Sequence, residues 1–130
     1  MMWQAPALCG FAESAGFVRA DVPTAVAVAL AASGGNDAYV AEPWGGSRTV
    51  SVGLWQIVCD RWDTDRLTLL LDPYSNARAA LALFEDAGAR WGWCDGYRSG
   101  RWSLFVDQAE RAASSGVRAD TVALFASREP

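Results

Sequence analysis

A mainly α, single helical domain carrying a short β-hairpin insert is the fold class that this 130-residue sequence predicts. Three observations point to it. Alanine-rich stretches with helical spacing fill most of the chain, and glycines at Gly34-Gly35, Gly45-Gly46, Gly88 and Gly116 punctuate them. One stretch, 36–57, exchanges that pattern for glycine, proline and β-branched residues. The length leaves no room for a second domain of usual size, so residues 1–130 are read as one unit. A 52% hydrophobic content supplies the apolar surface that one core needs.

The elements follow in order. Residues 5–15 read as a helix ended by Gly16. Asp21 starts a second helix with Pro23 in its first turn, where a missing N–H costs nothing. That helix runs through Ala25-Val26-Ala27-Val28-Ala29-Leu30 to Ser33 and is apolar on every side, which predicts a central, buried position. Within the insert, Ser47-Arg48-Thr49-Val50-Ser51-Val52 is the best candidate for a short strand or hairpin arm. Helical signals resume over 65–71. Asp72-Pro73 then opens a longer helix to Ala87, stopped by Gly88. Trp102, Phe105, Val106, Ala109 and Ala113 share one face of a further helix, and a last short helix is expected over 120–126.

Composition excludes whole chemistries. The chain has no histidine, and all 11 of its Lys+Arg residues are arginines. Ser-His-Asp and Cys-His nucleophile systems and HExxH zinc sites are therefore absent, as are the P-loop lysine and Schiff-base chemistry. Carboxylates, tyrosine, cysteine and positioned water remain for acid–base work. No metal and no organic cofactor is expected. With a net charge of −4 and scattered arginines, the basic footprint of a nucleic-acid binder is missing. No uncharged apolar run approaches the roughly 20 residues of a membrane span, so no membrane insertion is expected. The stretch 1–10 has no basic residue ahead of its apolar run, so no export signal is expected. Cys9, Cys59 and Cys94 are isolated and read as buried thiols, with Cys59 and Cys94 the one pair worth testing.

Three motifs stand in order along the chain: Ala31-Ala32-Ser33-Gly34-Gly35-Asn36, then Ser51-Val52-Gly53-Leu54-Trp55-Gln56-Ile57, then Asp72-Pro73 with Asn76-Ala77 and Ala79-Ala80. Followed by Gly88 and the Trp91/Trp93 pair, this series resembles the lysozyme-like lytic transglycosylases, of the soluble lytic transglycosylase and goose-type lysozyme kind, in the compact version found in phage lysins and tail proteins. The resemblance implies an α+β lysozyme-like fold and an enzyme, a lytic transglycosylase or muramidase, acting on the MurNAc-GlcNAc β-1,4 bond of peptidoglycan glycan strands. A bacterial cell-wall location follows from it. Without an export signal, delivery would be by a phage virion or release system, or as part of a larger lysin protein.

One position departs from the family pattern. The family reads Ala-Glu-Ser-Gly-Gly, and Ala32 stands where that glutamate serves as general acid and base. There the acid protonates the glycosidic oxygen. A methyl group has no proton to give, so the resemblance implies a cleft that is inactivated or strongly impaired. The alternative is a natural non-catalytic peptidoglycan-binding or phage tail structural module. The resemblance further implies substrate contacts from Ser51, Gln56, Asn76 and Tyr97, with Trp55 beside Gln56. Val58 replaces an asparagine that many compact relatives carry.

Read from the residues alone, each position has a plainer role. Ser33-Gly34-Gly35 suits an ordinary glycine stop on a core helix with Ala32 packed. Leu54 and Ile57 suit the core, with Trp55 partly buried and Gln56 solvated. Asn76 suits either substrate, the loop before Gly53 or a local cap. Trp91 and Trp93 suit ordinary core or surface aromatics. Glu42 and Asp37 are the loop carboxylates nearest the motif, and both are expected to be solvated.

Overall fold

The computed structural model describes residues 1–42 and 46–116, and the helix expected over 120–126 lies outside them. The fold is mainly α with one small antiparallel sheet, as expected. Helix α1 spans Ala5–Ala15, with a proline in its first turn and Gly16 at its C-cap. A 3-10 turn, Arg19–Asp21, leads into α2, Val22–Ser33. Asp21 flanks α2 as expected, but its side chain makes no capping bond. Gly34 closes α2 in the left-handed conformation, φ 65°, with its N–H donating to Leu30 O at 2.8 Å. Residues with a Cβ pay for that conformation, which is why glycine follows the helix.

Three strands follow: β1 (Val40–Ala41), β2 (Thr49–Val52) and β3 (Ile57–Asp60), in the order β1-β2-β3, all antiparallel. The arm expected over 47–52 is thus the central strand. Ser51 sits opposite Ala41 on one side and Val58 on the other. Helix α3 is Thr64–Leu70 and α4 is Pro73–Asp86. Asp63 and Asp72 cap them, their carboxylates accepting from Arg66 N and Ser75 N respectively. The one-turn helix α5, Asp95–Arg98, has no counterpart in the sequence reading. The face shared by Trp102 and Phe105 opens as a 3-10 segment, Arg101–Phe105, and becomes α-helical only in α6, Val106–Ser115.

Helix α2 is the axis of the core. Val22 and every residue from Ala25 to Ala31 are buried, and α1, α5, α6 and the 3-10 segment pack around them. Alanine at most of these positions lets neighbouring backbones come close. Phe17, Phe84 and Trp91 close one end, with ring centroids 4.9 to 5.6 Å apart. Cys9, Cys59 and Cys94 are all buried and free, so the pairing of Cys59 with Cys94 is not made. The Cys94 thiol instead donates to Trp55 O at 3.4 Å. Among the described residues, no helix is long and apolar enough to cross a membrane.

Candidate functional site

The C-terminal end of α2, the sheet and α5 enclose a cleft of about 590 Å³. Ala31 and Ala32 come from α2, Tyr39, Ala41 and Glu42 from in and around β1, Ser51 from β2 and Gln56 and Val58 from the turn and strand that follow. Trp93, Asp95, Gly96, Arg98, Ser99 and Arg101 form the opposite wall. Of the residues singled out from sequence, Ala32, Ser51 and Gln56 therefore meet in one hollow.

Close packing explains how the two walls stay together. Gly96 lies against α2 so tightly that a Cβ there would come within 2.8 Å of Val28 O and 2.9 Å of Ala32 N. Contacts that short do not occur for real side chains, so only glycine lets α5 dock beside Ala32. Asp95, one residue before that contact, is thereby brought to the cleft edge.

Gln56 occupies the left-handed region with φ 53°, a conformation disfavoured for a residue with a side chain. Its amide repays this locally, because Nε2 donates to Tyr39 O at 3.0 Å and to Gly53 O at 2.9 Å. The Nε2 side is thus engaged, and Oε1 is the group left to accept a hydrogen bond at the cleft. Gln56 is not merely solvated. It ties the approach to β1 to the Gly53 turn.

Trp55 and Asn76 do not reach the cleft, which corrects their expected place as substrate contacts. Both are 0% exposed. The Asn76 amide donates to Val52 O at 2.8 Å and to Leu70 O at 2.9 Å, and its Oδ1 accepts from Trp55 N at 2.9 Å. The indole N–H of Trp55 donates to Ala25 O at 2.9 Å, across to α2. Gly53 is required beside this hub, since a Cβ there would meet Leu70 O at 2.6 Å. Asn76 therefore serves the loop around Gly53, one of its plainer roles. Tyr97 is half-buried, stacks on Trp102 at 5.0 Å between ring centroids, and is not among the residues that line the cleft. Conversely Trp93 lines the cleft, whereas Trp91 is a core residue.

The electrostatics come from four charged groups on the cleft, Glu42, Asp95, Arg98 and Arg101. Glu42 pairs with Arg61, and Asp95 pairs loosely with Arg98 at 3.4 Å. The Asp95 side chain is 87% exposed, and Glu42 also faces water. Asp37 is turned elsewhere, accepting from Trp3 Nε1 at 3.0 Å and from the Met1 amino group at 2.9 Å. Neither cleft carboxylate sits in the dehydrated surroundings that a general-acid carboxyl needs at neutral pH. Asp95 and the arginines were missed in sequence because their place depends on the docking of α5, which no local pattern announces. No cluster of three or more His, Cys, Asp or Glu suited to a metal ion occurs among the described residues.

In a comparison with protein-family models, a model described as a lysozyme like domain matches residues 9–94. That span runs from α1 to the residue before α5 and includes Ala32, Ser51, Gln56 and Asn76. Comparison with curated proteins and with solved structures gives no match.

Proposed function

The chain belongs to the lysozyme-like domain family, and from that premise we propose that its cleft holds a glycan strand of peptidoglycan without cutting it by general-acid catalysis. The observation that carries this reading is the position of Ala32. It lines the same hollow as Ser51 and Gln56, at the end of the buried helix, where the family's motif has the acid. The Oε1 of Gln56, unengaged among the described residues, and the Ser51 hydroxyl offer hydrogen bonds to sugar hydroxyl and acetamido groups, and Trp93 offers an aromatic face.

On this reading the cleft derives from a lytic transglycosylase or muramidase acting on the MurNAc-GlcNAc β-1,4 bond. Its missing part is the proton donor. Departure of the sugar alkoxide requires protonation of the glycosidic oxygen, and the cleft's own carboxylates, Glu42 and Asp95, stand in water beside Arg61 and Arg98. Binding contacts do not depend on a carboxyl at position 32, so affinity for the strand survives.

The test is turbidity loss of purified cell walls, with mass spectrometry of the products to separate 1,6-anhydro ends from reducing ends. Ala32→Glu should raise the cleavage rate by about 10²- to 10⁴-fold, the usual worth of a positioned acid. Equal activity of the natural chain and Ala32→Glu would refute the reading and direct attention to Asp95 and Glu42. Inert chains that still sediment with cell walls would mark a binding module. Failure of both to bind walls would remove the glycan reading altogether.

A further inference from the structure

A second hollow, about 520 Å³, lies on the other side of β3, between that strand, α3 and α4. Val58 lines both this groove and the cleft, so the two adjoin at that residue. The groove's floor is apolar, with Leu69, Ala79 and Leu83 among its residues. Arg66 from α3 and Arg78 from α4 stand on it.

These arginines stand open to an anion. Neither has a carboxylate within ion-pair distance among the described residues. The nearby acids are already engaged: Asp63 accepts from Arg66 N, and Asp72 Oδ2 accepts from both Ser75 N and Ser75 Oγ. Ser75 Oγ in turn accepts from Arg78 Nη2 at 3.0 Å, which orients that guanidinium. Asp86 is the groove's one acidic residue, so its lining carries a net positive charge.

We propose that this groove takes the free carboxylate of a short peptide with small apolar side chains, branching from the strand in the cleft. The inference rests on the glycan-strand reading given above. Charge complementarity selects the carboxylate, because a guanidinium offers paired donors to its two oxygens. The alanine-lined floor selects small apolar side chains, and continuity through Val58 lets the branch and its strand be held together.

The experiment compares soluble glycan chains that carry their peptide branches with the same chains after enzymatic removal of the branches. At low salt the natural protein should bind the branched chains about tenfold more tightly, an advantage that 0.5 M salt removes. The Arg66→Gln/Arg78→Gln double variant should bind branched chains no better than stripped ones, while Arg111→Gln, the same charge change on α6, should behave as the natural protein. Both arginines are exposed, so the double variant should keep its melting temperature. An unchanged preference in the double variant would overturn the proposal, as would an equal loss for both probes. If neither probe binds the natural protein, the glycan-strand reading fails separately. Titration with alanyl-alanine, followed by NMR, then decides the groove: shifts at Ala79 and Ala82 that vanish in the double variant support it, and their absence overturns it.

Discussion

Replacing Asn76 with alanine is expected to cost this fold about 4 kcal/mol, although the residue touches nothing outside the protein. Its amide satisfies three backbone groups at once: Val52 O on β2, Leu70 O at the end of α3 and Trp55 N in the turn between β2 and β3. All three bonds are buried. Alanine removes all three bonds in a place water does not enter and leaves Trp55 N and Leu70 O without the partner that Asn76 gives them. Each orphaned group costs about 1–3 kcal/mol, with carbonyls at the lower end because they tolerate partial satisfaction. Against a total stability of about 5–15 kcal/mol, this is a large fraction. With a urea slope of about 2 kcal/mol per molar, the midpoint should fall by about 2 M. Asn76→Asp sharpens the test. It keeps the volume and the acceptor for Trp55 N but sets an oxygen against the two carbonyls, so it should be as damaging near neutral pH. In acid a protonated carboxyl can donate to one carbonyl, and the damage should lessen. A midpoint shift below about 0.5 M for Asn76→Ala would refute the hub assignment. Unchanged stability with weakened glycan binding would return Asn76 to the substrate.

Gly96→Ala should destabilise the fold by about 1–3 kcal/mol and weaken glycan binding, because its Cβ would press on Val28 O and Ala32 N and drive α5, with Asp95 and Arg98, away from α2. A natural melting temperature and natural affinity in that variant would refute the contact. Burial pushes the Cys94 thiol above its ordinary value, and burial does the same for Cys59. A raised folded value means that the folded chain holds the proton more tightly, so this stabilisation is fully present below the unfolded thiol value, about 8.5, and is lost as pH rises through the folded value. Urea unfolding from pH 7 to 10 should show stability falling, with a shallower fall in Cys94→Ala. An identical slope in that variant would contradict the assignment.

Much of the helical frame was legible because its signals are local. Gly16 ends α1 at the expected residue, and the run of alanine and valine in α2 announces a helix with no polar face. Ser33 and Gly34 end it where expected. The sheet was only partly legible. A two-residue strand such as β1 has no periodicity to detect, and Ile57-Val58-Cys59-Asp60 exposes its alternation only once β2 pairs with it. The site divides in the same way. Ala32, Ser51 and Gln56 converge because each lies at the end of an element that the motifs mark. Trp55 and Gln56 are neighbours in sequence, yet one bonds Ala25 O in the core and the other faces the cleft. The left-handed backbone at Gln56 decides which side chain goes where, and composition carries no sign of it. The placement of Asp95 depends on a glycine whose only role is to let two backbones touch.

The burial of α2 has a consequence for heredity. Ala25, Ala27 and Ala29 are sealed among neighbouring elements, and a larger side chain at any of them must displace packed neighbours. Ala32 alone among the helix's later alanines is only partly buried and faces open space in the cleft. Glutamate is as comfortable in a helix as its neighbours require, and its codons GAA and GAG each differ by a single base from an alanine codon, GCA or GCG. Selection for a folded chain therefore holds the surrounding alanines in place while leaving codon 32 free to drift. A carboxyl can be lost there, or regained, in one generation without the lineage ever passing through an unfolded ancestor.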